Sequence, residues 1–465
     1  MKKSVLIASL AALFISPQIK AQFTVDAELL PRGEVTHSLK KLASPNEKAV
    51  FTIAQRTRLN TGYKSKFVDI YVSLQDVHAW GSDGQLGSVA SGNATATWLH
   101  QAYGVAHAAK WLDIKLGRQE IDLDDARIFG NVGWALQARS HDAAILQFKP
   151  MEKMNVDFGV AYNPTKITSP AGNYKTLQYL WWHGEFGKVK ASVLFLNNGR
   201  QVTNTLGADS LMFISSSTMD TSFVQYSQDA VYFTQTVGFR AGYAAEKFNV
   251  FGAVYYQMGN NGGNTIVATD SVAAFTITKK KTSALLARLD ISGNLGPVTL
   301  SGGYEYQSGN SQISPDANDQ AFSPFYGTNH KFNGHMDYFY VGNHFGSVGL
   351  HDAFLGVKYN HKKGFWVGVD GHYFAAANDV KDKVLGTAMS STLGGELDFS
   401  VGYKVSPELI FSLGYSQMIG TSTMETIRGG DKGEISNWGY IQVVFKPKIF
   451  DSENFMRKLE EKKEG

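Results

Sequence analysis

Short turns punctuate this chain at a steady rhythm, and that rhythm limits the possible folds more than any motif does. Eight of them each separate two stretches of alternating apolar and polar residues: Tyr63-Lys64-Ser65-Lys66, Ala108-Ala109-Lys110, Lys149-Pro150-Met151-Glu152-Lys153, Phe186-Gly187-Lys188, Ala245-Glu246-Lys247, Asn294-Leu295-Gly296-Pro297, His361-Lys362-Lys363-Gly364 and Lys404-Val405-Ser406-Pro407. Longer segments rich in Gly, Ser, Asn and Asp run between successive pairs. Short turns on one side and long loops on the other are the pattern of a transmembrane β-barrel, turns toward the periplasm and loops outside. Eight turn-joined pairs with one more strand at each end predict an all-β, antiparallel barrel of eighteen strands. A barrel of about 16–18 strands encloses an aqueous channel, whereas one of about eight is filled by its own side chains.

Alternation assigns the faces, because successive side chains of a strand point to opposite sides. In Phe51–Tyr63 the residues Phe51, Ile53, Thr57 and Leu59 share one face, and Arg56, Arg58 and Asn60 share the other. Val68, Ile70, Val72 and Leu74 oppose Asp69, Tyr71 and Ser73, and Leu112, Ile114 and Leu116 oppose Asp113 and Lys115. Leu289 and Ile291 oppose Arg288 and Asp290, and Leu397 and Phe399 oppose Asp398. The same reading turns Asp157, Arg240, Glu305, Lys358 and Asp370 inward. A lumen carrying both signs of charge sets up a transverse field, without the cationic excess that a polyanion-selective pore needs. Trp80, Trp98, Trp111, Trp181, Trp366 and Trp438 lie near strand ends and are expected at the headgroup level. A soluble β-sandwich would alternate as well; the unequal loops favour the barrel.

The start of the chain reads as a secretory signal over residues 1–21: Lys2 and Lys3, an apolar run from Val5 to Ile15, and Ala21 before a cut at Gln22. That run falls short of the about 20 apolar residues a spanning helix needs. Residues 22–450 are then the barrel, and 451–465 a charged periplasmic tail expected to form a short frayed helix. Loss of the signal removes three of 44 basic residues and leaves them equal to the 41 acidic ones. A nucleic-acid binder would show a basic excess, so no nucleic-acid partner is expected. Cysteine is absent, so there is neither a disulfide framework nor a cysteine for a lipid anchor.

Two segments go beyond periodicity. One runs Gly117-Arg118-Gln119-Glu120, then Asp124-Asp125-Ala126-Arg127-Ile128-Phe129-Gly130-Asn131 to Trp134 and Gln137, then Arg139-Ser140-His141-Asp142-Ala143. The other is Tyr326-Gly327-Thr328-Asn329-His330-Lys331-Phe332 with Met336-Asp337-Tyr338-Phe339-Tyr340-Val341-Gly342. Together they resemble the alginate export porin family, in its Bacteroidetes-type branch. The resemblance implies an eighteen-stranded outer-membrane barrel of a Gram-negative bacterium, its charged lumen narrowed by inward-folded loops. It places Arg118, Glu120, Arg127, Trp134, Arg139 and Asp142 at the channel mouth. It places Tyr326, His330, Lys331, Asp337, Tyr338 and Tyr340 in a constriction loop within the largest connection, Ser308 to His351. Gly133 stands where relatives often carry an acid, so an ion pair bracing this loop is expected to be missing. The plainer reading is that the arginines pair with Glu120, Asp122, Asp124 and Asp125 and only fold the loop.

Other chemistry finds little support. The chain has no GxSxG, HExxH, GxGxxG or phosphate-binding loop, so no enzyme and no cofactor is expected, a Ser/His hydrolase on the rim being the exception such patterns would miss. His330, His335, His344, His351 and Asp337 match no metal-site spacing, and Asp122–Asp125 lacks the Gly and Glu of a calcium loop. A receptor with a plug and about 22 strands does not fit in 465 residues. Long connections are also expected at Asn198–Ser227 and Gly259–Thr282. The expected activity is passive diffusion of small hydrophilic or anionic solutes through Arg56, Arg58, Lys115, Arg240, Arg288, Lys358, Asp69, Asp113, Asp290, Glu305 and Asp370. The alternatives are export of an anionic polysaccharide such as alginate, and an adhesin or structural barrel without a channel. Expected partners are outer-membrane lipid, the solute and the barrel-insertion machinery, with a monomer favoured.

Overall fold

The computed structural model describes residues 21–81, 97–163, 174–205, 227–269, 272–344 and 346–464. The signal segment before Ala21 lies outside the described residues. The first strands are β1 (Gln22–His37), β2 (Val50–Lys64), β3 (Val68–Ala79), β4 (Trp98–Ala109), β5 (Leu112–Gln119) and β6 (His141–Met151). There follow β7 (Met154–Tyr162), β8 (Thr176–Phe186), β9 (Val189–Thr205), β10 (Ser227–Ala244), β11 (Phe248–Thr269) and β12 (Val272–Leu295). The last are β13 (Val298–Gln307), β14 (Leu350–Asn360), β15 (Phe365–Ala375), β16 (Thr392–Ser406), β17 (Leu409–Gly420) and β18 (Ser436–Phe445). Each pairs antiparallel with the next, and β18 returns to β1, with Arg32 opposite Gln442. The barrel is closed.

Lys446 and Pro447 interrupt the final strand, and Lys448–Asp451 resumes its course along β1, Thr24 opposite Asp451. A closed ring leaves no unpaired edge, which a backbone in hydrocarbon cannot tolerate. All eight turns read from the sequence are short connections between paired strands, from β2–β3 to β16–β17. Gly187 (φ 64°) and Gly296 (φ 60°) take left-handed conformations in two-residue hairpin turns, where the twist of the strands demands them. Outward, Leu59, Ile70, Leu74, Leu116, Leu289 and Phe399 form an exposed apolar belt. Soluble proteins rarely expose so much apolar surface; here it faces lipid. Among the described residues no helix is long and apolar enough to cross a membrane.

Two loop expectations change. Gly259–Thr282 is a strand extension: β11 and β12 stay paired from Asn260 opposite Lys281 to Thr269 opposite Val272. Asn260 to Gly263 resembles a turn, but β-branched Thr265, Ile266, Val267, Thr276, Ile277 and Thr278 flank it and favour pairing. In Asn198–Ser227, β9 continues to Thr205, and 206–226 lie outside the described residues.

The tryptophan belt is also corrected. Trp80 and Trp111 are exposed at strand ends, but Trp181, Trp366 and Trp438 fall on inward positions. Trp181 stacks on His183 at 5.4 Å, Lys358 Nζ lies 5.7 Å from the Trp366 ring, and Trp438 is 2% exposed. Strand parity, which closeness to a strand end does not reveal, decides these positions.

The inner wall is not uniformly charged. Leu177, Tyr179, Leu194, Leu196, Tyr255 and Leu286 point inward and are buried under Ile128, Phe129, Phe322, Phe325 and Tyr326 of two loops. A second cluster packs Met336, Tyr338 and Phe339 against Leu350, Phe374, Leu393, Met424 and Trp438. Each such side chain removed from water contributes about 1.5–3 kcal/mol, which is why these loops fold into the barrel instead of standing above it.

Candidate channel constriction

The two inward loops are residues 120–140, between β5 and β6, and 308–349, between β13 and β14. Their backbones join directly. Tyr326 N donates to Ile128 O at 3.1 Å, Gly130 N to Tyr326 O at 2.9 Å, and Thr328 N to Ala126 O at 2.9 Å. A Cβ on Gly130 would sit 2.2 Å from Thr328 Oγ1, so only glycine permits this approach. The Phe129 ring lies 5.5 Å from Tyr326 and 5.2 Å from Tyr179, fastening the joint to the wall.

An ionic anchor sits beside this aromatic one. Arg127 and Glu305 are 1% and 0% exposed. Arg127 Nη2 lies 2.6 Å from Glu305 Oε1, and its Nε donates to Oε2 at 3.0 Å. Arg288 adds a second cation, with Nη1 at 3.0 Å from Glu305 Oε2 and Nη2 at 2.7 Å from Asp290 Oδ1. The Phe332 ring takes both guanidinium carbons, at 4.6 Å and 4.8 Å. Asn333 Nδ2 donates to Glu305 Oε1 and to Asp352 Oδ2, both at 3.0 Å. His372 Nδ1 stands 2.9 Å from Asp352 Oδ1. One wall carboxylate thus holds an arginine from one loop and an asparagine from the other. A buried charge is tolerable when paired and hydrogen-bonded in this way.

The expected gap at Gly133 is filled without an acid. Arg56 Nη1 donates to Gly133 O at 3.1 Å, Arg32 Nη1 to Trp134 O at 2.8 Å, and Gln75 Nε2 to Gln137 O at 3.0 Å. Arginines of the wall therefore brace loop 120–140 through its carbonyls. The Trp134 ring carries the Arg32 guanidinium at 4.2 Å and stacks on His330 at 4.7 Å, and His330 stacks on His335 at 5.4 Å. His330 Nδ1 in turn lies 2.9 Å from Asp337 Oδ1.

Several predicted residues are placed otherwise than expected. Arg118 and Asp142 are not at the mouth: they face outward, 42% and 54% exposed, in a two-bonded ion pair of 2.9 and 2.7 Å. Lys115 and Gln119 fix the inward parity of β5, and Arg118 falls between them. Arg56 is buried against Glu28 at 2.6 Å, so it ties the wall and faces no open water. Arg127 and Glu305 are likewise sealed. Tyr326 and Tyr338 are core anchors and do not face the lumen. The loop arginines do not simply pair with the local acids: Arg127 reaches the wall, and Asp125 Oδ2 pairs with Arg240 Nε at 3.3 Å. Arg139, whose pKa burial lowers, donates from Nη1 to Gly327 O at 3.3 Å.

The remainder of the predicted set stays inward. Arg58 Nε donates to Gln75 Oε1 at 2.6 Å, and Lys115 Nζ lies 4.0 Å from the Tyr103 ring. Asp69 and Asp113 share His107, at 3.2 and 2.7 Å, and Lys149 Nζ is 2.5 Å from Asp113. Asp370 sits opposite Asp398 in register. Lys331 is exposed, its Nζ donating to Asp125 O at 2.9 Å; Glu120 accepts His100 Nε2 at 2.7 Å; and Lys40 Nζ lies 5.5 Å from the Tyr340 ring. Of the loop histidines, His330 and His335 stay together, while His344 meets Arg428 and His351 meets Tyr304. Among the described residues no group of three or more His, Cys, Asp or Glu is placed to hold a metal ion. Asn333, at φ 58° before Gly334 at φ 83°, was not singled out from the sequence. The Asn-Gly pair is a turn signal that pointed to it.

No family model matches the chain, and neither does any curated protein. Solved structures do. OccAB1 of Acinetobacter baumannii aligns with a TM-score of 0.57 at 13% identity, over 92% of this chain and 97% of that one. A BenF-like porin of Pseudomonas fluorescens Pf-5 gives 0.54 at 11% identity, over 92% and 99%. OccK2 (OpdF) of Pseudomonas aeruginosa, in complex with glucuronate, gives 0.53 at 10% identity, over 92% and 98%. The likeness at such identities is one of fold, that of the eighteen-strand porin barrel of the OprD type. It supports the porin part of the resemblance drawn from the two motifs and does not support its alginate branch.

Proposed function

We propose that the chain is a non-catalytic outer-membrane channel through which small hydrophilic or anionic solutes diffuse passively. The observation that carries this reading is the uneven filling of the lumen. Loops 120–140 and 308–349 are sealed against part of the wall, while Arg58, Lys115, Glu120, Asp122 and Lys331 remain only half-buried or exposed. Charged side chains left unsealed inside a barrel mark a wet path, and three cations beside two acids suit a small solute bearing a carboxylate or hydroxyls. The glucuronate held by OccK2 is a solute of that kind. Export of a polysaccharide such as alginate is the weaker reading, because two loops fastened across the lumen leave little room for a polymer.

The test is the reversal potential across a planar bilayer under a salt gradient. Replacing Arg58 and Lys115 together with Glu is expected to move it toward cation selectivity. An unmoved potential removes these two residues from the conducting path. Swelling of proteoliposomes in glucuronate, compared with alginate oligomers, separates solute diffusion from polymer export.

A further inference from the structure

We propose that the terminal helix, Ser452–Glu464, is an interfacial anchor that docks on the periplasmic leaflet of the outer membrane through Phe455, Met456 and Leu459. The proposal rests on the membrane-barrel reading and adds a lipid-binding surface beyond the strands. The helix starts at the rim that carries the short turns, since Gln22 of β1 stands opposite Lys64 there. Its first turn is fixed in place. Asp451 Oδ1 accepts Glu453 N at 3.1 Å, Ser452 Oγ accepts Phe23 N at 2.8 Å, and Gln22 Nε2 donates to Asp451 Oδ1 at 3.4 Å.

Phe455, Met456 and Leu459 are 53%, 55% and 40% exposed, an apolar surface that the described residues leave largely uncovered. Spacing of one and four residues puts them on one face. Arg457 and Glu461, 3.9 Å apart, lie on the opposite face. The apolar face does not stand alone. Phe23 and Phe450 point outward from the barrel wall with rings 6.2 Å apart, and Phe450 lies 6.0 Å from Phe455. The lipid-facing belt therefore continues from β1, through the last strand segment, onto the helix. A helix with one apolar face and one charged face, joined to such a belt, fits the headgroup boundary, where the apolar side sinks by about 5–10 Å. Lipid is the occupant that this continuity selects.

The chain has no cysteine, so single cysteines report cleanly. Met456→Cys, Glu461→Cys and, on the barrel wall, Leu180→Cys are each spin-labelled in proteoliposomes of the purified protein. Collision with oxygen and with a water-soluble nickel chelate is then measured. The expected result is a lipid-like ratio at Met456→Cys, several-fold above that at Glu461→Cys, with Leu180→Cys the most lipid-like. Equal, water-like ratios at the two helix sites beside a lipid-like Leu180→Cys overturn the docking, leaving that face to solvent or to a protein partner. A water-like Leu180→Cys instead overturns the barrel reading itself.

Discussion

Glu305 is the residue on which both loops converge, and its surroundings determine what its loss does. Breaking a buried ion pair by removing one partner typically costs about 3–5 kcal/mol, because the other charge is left buried and bare. Glu305 has two arginines, so Arg127→Met leaves it paired with Arg288 and falls near the low end of that range. Glu305→Met strands Arg127, whose remaining side-chain partners are the neutral amides of Asn329 and Asn333 and the Phe332 ring. Denaturant unfolding of the two variants is expected to rank Glu305→Met as the more destabilised, and the reverse order contradicts this anchor. The sequence singled out both residues, Arg127 through its motif and Glu305 through alternation. Their partnership was not legible, because 178 positions separate them and nothing in the order of residues says which wall a loop reaches. Arg118 shows the opposite failing. A motif shared with Arg127 suggested the mouth, while the simple parity of β5 sends it outside.

At the scale of elements, the fold was more legible than the site. Strand period and turn chemistry are local, so β2 lies within one residue at each end of the Phe51–Tyr63 read from alternation, while β3 starts at Val68 as read and runs on past Leu74 to Ala79. Loop packing is not local, and so the expected charge lining became, over part of the wall, an apolar seat for Phe129 and Tyr326. The connection between β17 and β18 shows a further contact of this kind. Its short helix Ser422–Arg428 presents Arg428, whose Nη2 donates to His344 Nδ1 at 2.7 Å, while His344 Nε2 faces Ser347 Oγ at 3.0 Å. Burial first, then Arg428 and Arg127, holds the His344 pKa well below the ordinary value of 6.5. Burial also brings the Arg428 pKa down to about 10. The native contact needs neutral imidazole, since a proton on Nδ1 removes the acceptor. The pKa is depressed on folding, so this contribution is full above about pH 6.5 and is lost as pH falls below that toward the folded value. Amide exchange in Ser422–Arg428 is expected to quicken as pH drops from neutral to acid, after correction for intrinsic rates. In His344→Gln that extra acid dependence disappears; its persistence would assign the effect elsewhere.

For the whole molecule, the rhythm of turns and the exposed apolar belt agree on one topology, with the lysine-bearing turns on one rim. Whole-cell labelling is expected to modify Gly429→Cys and spare Lys188→Cys; modification of the latter from outside reverses the barrel. On the proposed function, this barrel encloses water and two fastened loops narrow it. Single-channel recording in a planar bilayer tests this most directly, with the wild type set beside the double variant Arg127→Met/Glu305→Met, which removes the ionic anchor. Discrete conductance steps are expected for the wild type and larger steps for the variant, while both still run as heat-modifiable barrels. A folded wild type that passes no current, or a folded variant whose steps are unchanged, would contradict it.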